Sequence, residues 1–310
     1  MTDRVPAVTV VMTAYNRERF IAEAIESVLG QTFTDFEMLV VDDCSTDGTR
    51  DVAADYARRD PRVRILLNER NLGDYPNRNH ASRLVRTPYF KFHDSDDVMY
   101  AHCLQVMYGM LDREPRAAFA LTTSRPWPGG RCPMLLTPRL AYEREFLGSG
   151  LFHLGPAAAL FRTNFFHSVG GFAERGVGSD VIFWPRACRA GSALLVPADL
   201  FHWREHPGQE IRRTANDVDQ AKAGGDVWAA LFDAQCPLTG ETLEQARRNY
   251  VFIASRRVYR HLARARLREA AAALRYSNIS ATQFCRYLRR PRRSPLAGTP
   301  DDGLPCGGSI

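Results

Sequence analysis

Two periods of hydrophobic and polar positions alternate along the first hundred residues. AVTVVMTAY (7–15) is a short, β-branched apolar run and predicts a buried strand. RERFIAEAIESVLGQ (17–31) places apolar residues at Phe20, Ile21, Ala24, Ile25, Val28 and Leu29, the spacing of one helix face, and Gly30 stands where that helix would stop. FEMLVVDD (36–43) predicts a second strand. STDGTRDVAADYARR (45–59) predicts a second helix, with Ser45, Thr46 or Asp47 as its N-cap, and VRILLN (63–68) a third strand. After NLGDYPN come a short helix, RNHASRLVR, and the strand TPYFKFH. Strands alternating with helices imply βαβ units and an α/β fold with a mostly parallel sheet. Such sheets take ligands outside the carboxyl ends of their strands, where TAYNR, DDCSTDGT and HDSDD stand.

Beyond residue 115 the pattern is less regular. GPAAALFR (155–162) is apolar, GGFAERGVGSD (170–180) is glycine-rich, DVIFWPRACRAG (180–191) predicts a helix and SALLVPADL a strand. The composition then changes. TLEQARRNYVFIASRRVYRHLARARLREAAAALRYS reads as one long amphipathic helix rich in Ala and Arg, followed by a shorter basic helix, ATQFCRYLRR. The expected organisation is a catalytic α/β domain over 1–215, a basic helical extension over 216–290 and a disordered Pro- and Gly-rich tail over 291–310. No internal repeat is visible.

The chain of 310 residues is 45% hydrophobic and 25% charged, ample for one large core. Its net charge of +6 comes almost wholly from arginine, since Lys91 and Lys222 are the two lysines. Arginine forks suit phosphate and carboxylate, although so uniform a bias has its plainer source in genomic base composition. The seven cysteines are odd in number and contain no CxxC pair, which argues against a disulfide framework and a zinc knuckle. The N-terminal apolar run is too short and too β-branched for a signal peptide. No window approaches the roughly eighteen apolar residues of a spanning helix. A reduced, cytoplasmic protein is expected.

KFHDSDDVMY (91–100) crowds Asp94, Asp96 and Asp97 after an apolar strand, where like charges cost free energy unless compensated. Water, basic side chains, or a divalent cation carrying a phosphorylated ligand could compensate them. Asp42 and Asp43 end another strand. One aspartate near a helix start is an ordinary cap, but a second at the strand end can accept a hydrogen bond from a nucleobase N–H. Neither GxGxxG nor GxxxxGK[ST] occurs, so an ordinary dinucleotide or NTPase site is disfavoured.

VTVVMTAYNRERFIAEAIESVLGQTFTDFEMLVVDDCSTDGT and NLGDYPNRNHASRLVRTPYFKFHDSDD together resemble the opening of the family-two glycosyltransferases of the GT-A fold, densely over about the first hundred residues. The resemblance implies a Rossmann-like sheet and an inverting transfer of one sugar from a nucleotide-sugar donor, UDP-sugar first. It implies that Thr13 and Tyr15 cradle the base, that Asp43 hydrogen-bonds it, and that Arg78 pairs with the diphosphate. Mn²⁺ or Mg²⁺ would be held mainly by Asp97, with Asp96 on ribose or metal and Asp94 behind them. For Arg78 taken alone, a solvated helix arginine is the plainer reading.

GVGSDVIFWPRACRAG resembles the segment where family members carry an acidic pair leading a helix. Here the pair is Ser179–Asp180, so Asp180 is the candidate general base, with a helix cap as its competing role. FHWREHPGQEIR (201–212) resembles the segment whose histidine approaches the metal, which makes His206 a candidate ligand. His80 and His93 are read as structural. The QxxRW motif of processive members is absent, which implies a non-processive enzyme of glycan, surface polysaccharide or glycoconjugate synthesis. Its acceptor would be a glycan, a lipid-linked sugar or a small molecule. The C-terminal helices are read as a cap on the catalytic domain, with peripheral contact to the inner membrane face as the sharper reading. Nucleic acid fits least, since aromatics do not interleave with the basic residues. A sugar-phosphate nucleotidyltransferase and a nucleotide-sugar-binding protein without activity are the alternatives; the missing acid at Ser179 keeps the second open.

Overall fold

The computed structural model describes residues 4–288 apart from 124–131, 177, 208 and 210–216. The expected tail, 291–310, lies outside the described residues. Three βαβ steps open the chain: β1 (Val8–Ala14), α1 (Ile21–Leu29), β2 (Phe36–Asp42), α2 (Thr49–Arg59), β3 (Val63–Leu67), α3 (Asp74–Arg83) and β4 (Tyr89–Asp94). Next come β5 (Val98–Met99), α4 (Cys103–Asp112), β6 (Ala117–Leu121), β7 (Met134–Leu136), α5 (Pro138–Leu147), a 3₁₀ turn (Pro156–Ala158) and β8 (Ala159–Arg162). The rest is helical apart from two strands: α6 (Thr163–Ser168), α7 (Ser179–Ala190), β9 (Ser192–Leu195), β10 (Phe201–His202), α8 (Asp217–Ala229), α9 (Gly240–Ala263), α10 (Leu267–Tyr276) and α11 (Ala281–Leu288).

Eight strands form one sheet in the order β3-β2-β1-β4-β8-β6-β9-β7. The β3 to β4 half is parallel, β8 runs antiparallel to both β4 and β6, and β6 pairs parallel with β9. Strand alternation sorts side chains into two layers. Val8, Val10 and Met12 pack on Ile21, Ile25 and Val28 of α1 and on Leu104 and Met107 of α4. On the other face Val11 joins Phe90, Phe92, Phe119, Phe161 and Trp184, together with Trp228 and Tyr250 from the C-terminal helices and Leu231 from the turn between them. Those helices therefore share the core of the sheet instead of forming a separate one, and Asn249 Nδ2 donates to Phe146 O at 2.6 Å.

Three expectations shift. The α3 helix starts at Asp74, four residues before the expected Arg78, because Pro76 fits a first helical turn and Gly73, at φ +87°, sets the entry. α2 begins after Gly48, with no side-chain cap from Ser45 or Thr46, while Asp47 Oδ1 accepts from the Thr49 N–H at 3.0 Å. The long C-terminal helix is two helices, divided where Ala265 takes φ +55°.

Candidate active site

Register brings the three acidic or polar loops to one edge. Thr13 lies opposite Asp94, Ala14 lies opposite Asp42, and the Asp43 N–H donates to Ala14 O at 2.8 Å. The first two loops are stitched together: Asn16 N–H donates to Ser45 Oγ (2.9 Å), Arg17 N–H to Thr49 Oγ1 (2.7 Å), and Thr46 N–H to Asn16 Oδ1 (2.8 Å). Thr13 is buried at this edge, while Tyr15 is exposed.

Asp43 is buried and spends its carboxylate on the chain itself. Oδ1 accepts from Asn68 Nδ2 and Leu72 N–H, both at 2.8 Å, and Oδ2 accepts from Gly73 N–H at 2.9 Å. It thereby holds the loop that launches α3. In Asp42, Oδ1 accepts from Ser45 N–H at 2.9 Å, while Oδ2 is buried with no partner.

The three crowded carboxylates have separate compensation. Asp94 Oδ1 accepts from Arg78 Nη2 at 2.7 Å, and Arg78 Nε donates to Asp74 Oδ1 at 2.8 Å, one helical turn back. Burial works to raise the Asp94 pKa, but the Arg78 guanidinium outweighs it and holds the carboxyl below its usual range. Burial likewise opposes the Arg78 charge, and Asp74 and Asp94 more than restore it. Arg78 is thus no solvated arginine: it is buried against Phe92, and its Nη1 has no partner among the described residues.

Asp96 Oδ2 takes Arg17 Nε at 3.0 Å and lies 3.0 Å from His206 Nε2. His206 stacks on Phe20, with ring centroids 4.4 Å apart. The segment after β10 reaches this turn because β10 pairs antiparallel with β5, just past the acids. Its Arg204 binds on four sides. The N–H donates to Asp97 Oδ1 (3.0 Å), Nε to Asp96 O (2.9 Å) and Nη2 to Glu23 Oε2 (2.6 Å), and the guanidinium lies over Phe20.

Asp97 is the least compensated of the three. It is 1% exposed, and its Oδ2 is buried without a partner among the described residues. Burial, then the neighbouring Asp94 charge, pushes its pKa up to about 8. Lys91 lies beneath the turn, fully buried on β4, its Nζ bonded to Ala157 O, and its charge is felt at both Asp94 and Asp97. His93, on the same face, is pushed down to about 3 by burial and then by Lys91, so it is neutral. Together with its place in the core, this agrees with a structural role.

The orphaned Asp97 oxygen is a hard donor of the kind that Mg²⁺ and Mn²⁺ take together with phosphate oxygens and water. No group of three or more His, Cys, Asp or Glu side chains arranged to hold a metal occurs among the described residues. A cation shared with a diphosphate needs no such cage, so the residues fit one.

Asp180 lies in the first turn of α7, whose N-cap is Gly178, so it is not the cap itself. Its Oδ1 accepts from Val181 N–H at 2.8 Å, and the Tyr75 hydroxyl also bonds the carboxylate. Burial raises its pKa, and the nearby Asp74 charge adds to that. Ser179, where a second acid was sought, is buried and donates to Gly176 O at 2.7 Å. Electrostatic contact is therefore continuous from Asp97 through Asp94, Arg78 and Asp74 to Asp180. Asp74, Tyr75, Arg17 and Arg204 were not singled out from the sequence. For the first two, the signal was Pro76, which moves the helix start forward.

Comparison with known proteins gives three kinds of match. The family model described as "Glycosyl transferase family 2" covers residues 9–170. TuaG of Bacillus subtilis (strain 168), named for teichuronic acid biosynthesis, is 41% identical over 97 residues, 31% of this chain and 38% of that protein. The matches span well under half the length of such curated relatives. Among solved structures, S. aureus TarS 1–349 in complex with UDP-GlcNAc is similar with a TM-score of 0.59 at 20% identity, covering 83% of this chain and 72% of that one. Mannosyltransferase PcManGT from Pyrobaculum calidifontis, in complex with GDP-Man and Mn²⁺, is similar with a TM-score of 0.58 at 20% identity, covering 92% and 79%. At these identities the two structures establish a shared fold.

Proposed function

The chain belongs to glycosyl transferase family 2, and from that premise we propose that it moves one sugar from a nucleoside-diphosphate donor to an acceptor hydroxyl in a single inverting displacement. A UDP-sugar is the first choice of donor, Mn²⁺ or Mg²⁺ the cofactor, and a glycan, lipid-linked sugar or small molecule the acceptor. One observation carries the reading: two buried polar atoms, Asp97 Oδ2 and Arg78 Nη1, lack partners among the described residues on the edge that also bears Asp43 and the exposed Tyr15. A diphosphate with a divalent cation would satisfy both. The donors and the ion named for the two similar structures support the same choice of ligand.

A cation on Asp97 would draw charge from the departing diphosphate. Arg78 adds a permanent positive charge beside it, fixed in place by Asp74 and Asp94. Tyr15 offers an exposed ring for the base, and Asp43 holds the neighbouring loop. Asp96 and His206 close the far side of the turn. Asp180 has the direction of pKa that suits a base, upward toward neutral, and Tyr75 orients it. It takes the acceptor proton as the hydroxyl oxygen bonds the anomeric carbon and the bond from that carbon to the diphosphate oxygen breaks.

The test is nucleoside diphosphate release from a panel of UDP- and GDP-sugars with Mn²⁺ and candidate acceptors. Release from at least one donor is expected. Asp180→Asn should lower turnover by roughly a hundredfold while sparing donor affinity. Tight donor binding without release across many acceptors would overturn the reading in favour of a binding protein.

A further inference from the structure

Away from the cleft, the turn between α9 and α10 carries Leu262, Arg264, Arg266, Leu267 and Arg268 on a continuously exposed stretch. Leu267 is 69% exposed, more than any other large apolar side chain among the described residues, and Leu262 is also exposed. The turn is ordered: Ala265 N–H donates to Leu262 O at 3.0 Å and Arg266 N–H to His261 O at 2.9 Å. Arg268 stands in the first turn of α10, where the helix dipole disfavours a cation, so helix stability does not account for it. The charge around the turn is one-sided. Residues 240–288 hold ten arginines and three glutamates, a net charge of +7 on a chain whose total is +6. The next residues in sequence, RRPRR (289–293), add four arginines.

We infer that this corner docks on an anionic phospholipid bilayer, with Leu262 and Leu267 entering the acyl boundary and the arginines meeting headgroup phosphates. Exposed leucines set among cations match such a surface in both its apolar and its charged layer. The corner offers no aromatic platform on which a nucleobase could stack. Docking is independent of the transfer chemistry, so it stands or falls without reference to turnover.

The full chain is sedimented with phosphatidylcholine vesicles and with vesicles containing added phosphatidylglycerol. Binding is expected to the anionic vesicles alone and should weaken with salt. Arg264→Gln with Arg268→Gln should lower partitioning roughly thirtyfold. Leu267→Ser should lower the fraction that survives high salt, and Arg264→Lys with Arg268→Lys should bind like the parent. Unchanged thermal melting of each variant shows that the fold is intact. Equal binding to neutral vesicles, unchanged binding by the Gln variant, loss of binding in the Lys variant, or preference for DNA over vesicles would each overturn the inference.

Discussion

Replacing Arg78 by methionine keeps the apolar stem and removes the fork. Two charge-assisted hydrogen bonds disappear, at 2.8 Å to Asp74 and 2.7 Å to Asp94. Their weights differ. Asp74 is 33% exposed, so water takes over much of its solvation, whereas Asp94 is 24% exposed and sits at a strand end among buried groups. Stranding a carboxylate of a buried pair costs about 3–5 kcal/mol, and the partial exposure of Asp94 favours the lower end, about 3 kcal/mol. For a chain of 310 residues, whose unfolding entropy is about 2.1 cal/mol/K per residue, that lowers the melting temperature by roughly 4–5 °C. The sign with pH follows from Asp94, whose pKa Arg78 holds below its unfolded value. The stabilisation is present above that unfolded value and lost as pH falls through the folded one, so the parent and the variant should converge in acid. Titration calorimetry with UDP and Mn²⁺ supplies the functional arm. On the proposed pairing of Arg78 with the diphosphate, loss of the guanidinium should weaken binding about tenfold or more. A variant that melts within about 2 °C of the parent at neutral pH and binds the nucleotide equally well would refute the reasoning.

Without metal, Asp97 keeps a proton that the unfolded chain gives up, so its burial costs stability as pH rises from its ordinary 3.8 to about 8. Asp97→Asn should therefore melt higher than the parent above pH 8, match it near pH 4, and lose Mn²⁺-dependent nucleotide binding; a pH-independent melting difference would count against the buried ionisation. Burial lowers the Lys91 pKa, so folding opposes its proton, and the penalty is largest below the folded pKa and gone above the ordinary 10.5. Lys91→Met should raise the melting temperature at pH 7 by more than at pH 10, and an equal change at both would show that charge burial is not its effect.

Periodicity located β1, β2 and β4 because a strand buried on both faces is predominantly apolar, and all seven residues of β1 are buried. The acids that break this rule at strand ends therefore stand out in the sequence, as Asp43 and Asp97 do. Asp74 and Tyr75 do not, because their chemistry depends on where α3 begins, and a loop and a first helical turn look alike in composition.

Which groups meet was beyond the sequence. Arg204 and Asp97 are 107 positions apart, and Tyr75 and Asp180 are 105 apart. Local pattern determines which face of each element is buried, since that depends on neighbours three or four residues away. Strand order decides what a charge finds beside it. Only the placement of β4 between β1 and β8, with β10 folded back on β5, sets the basic groups against the acids and leaves one oxygen of Asp97 without a partner among the described residues.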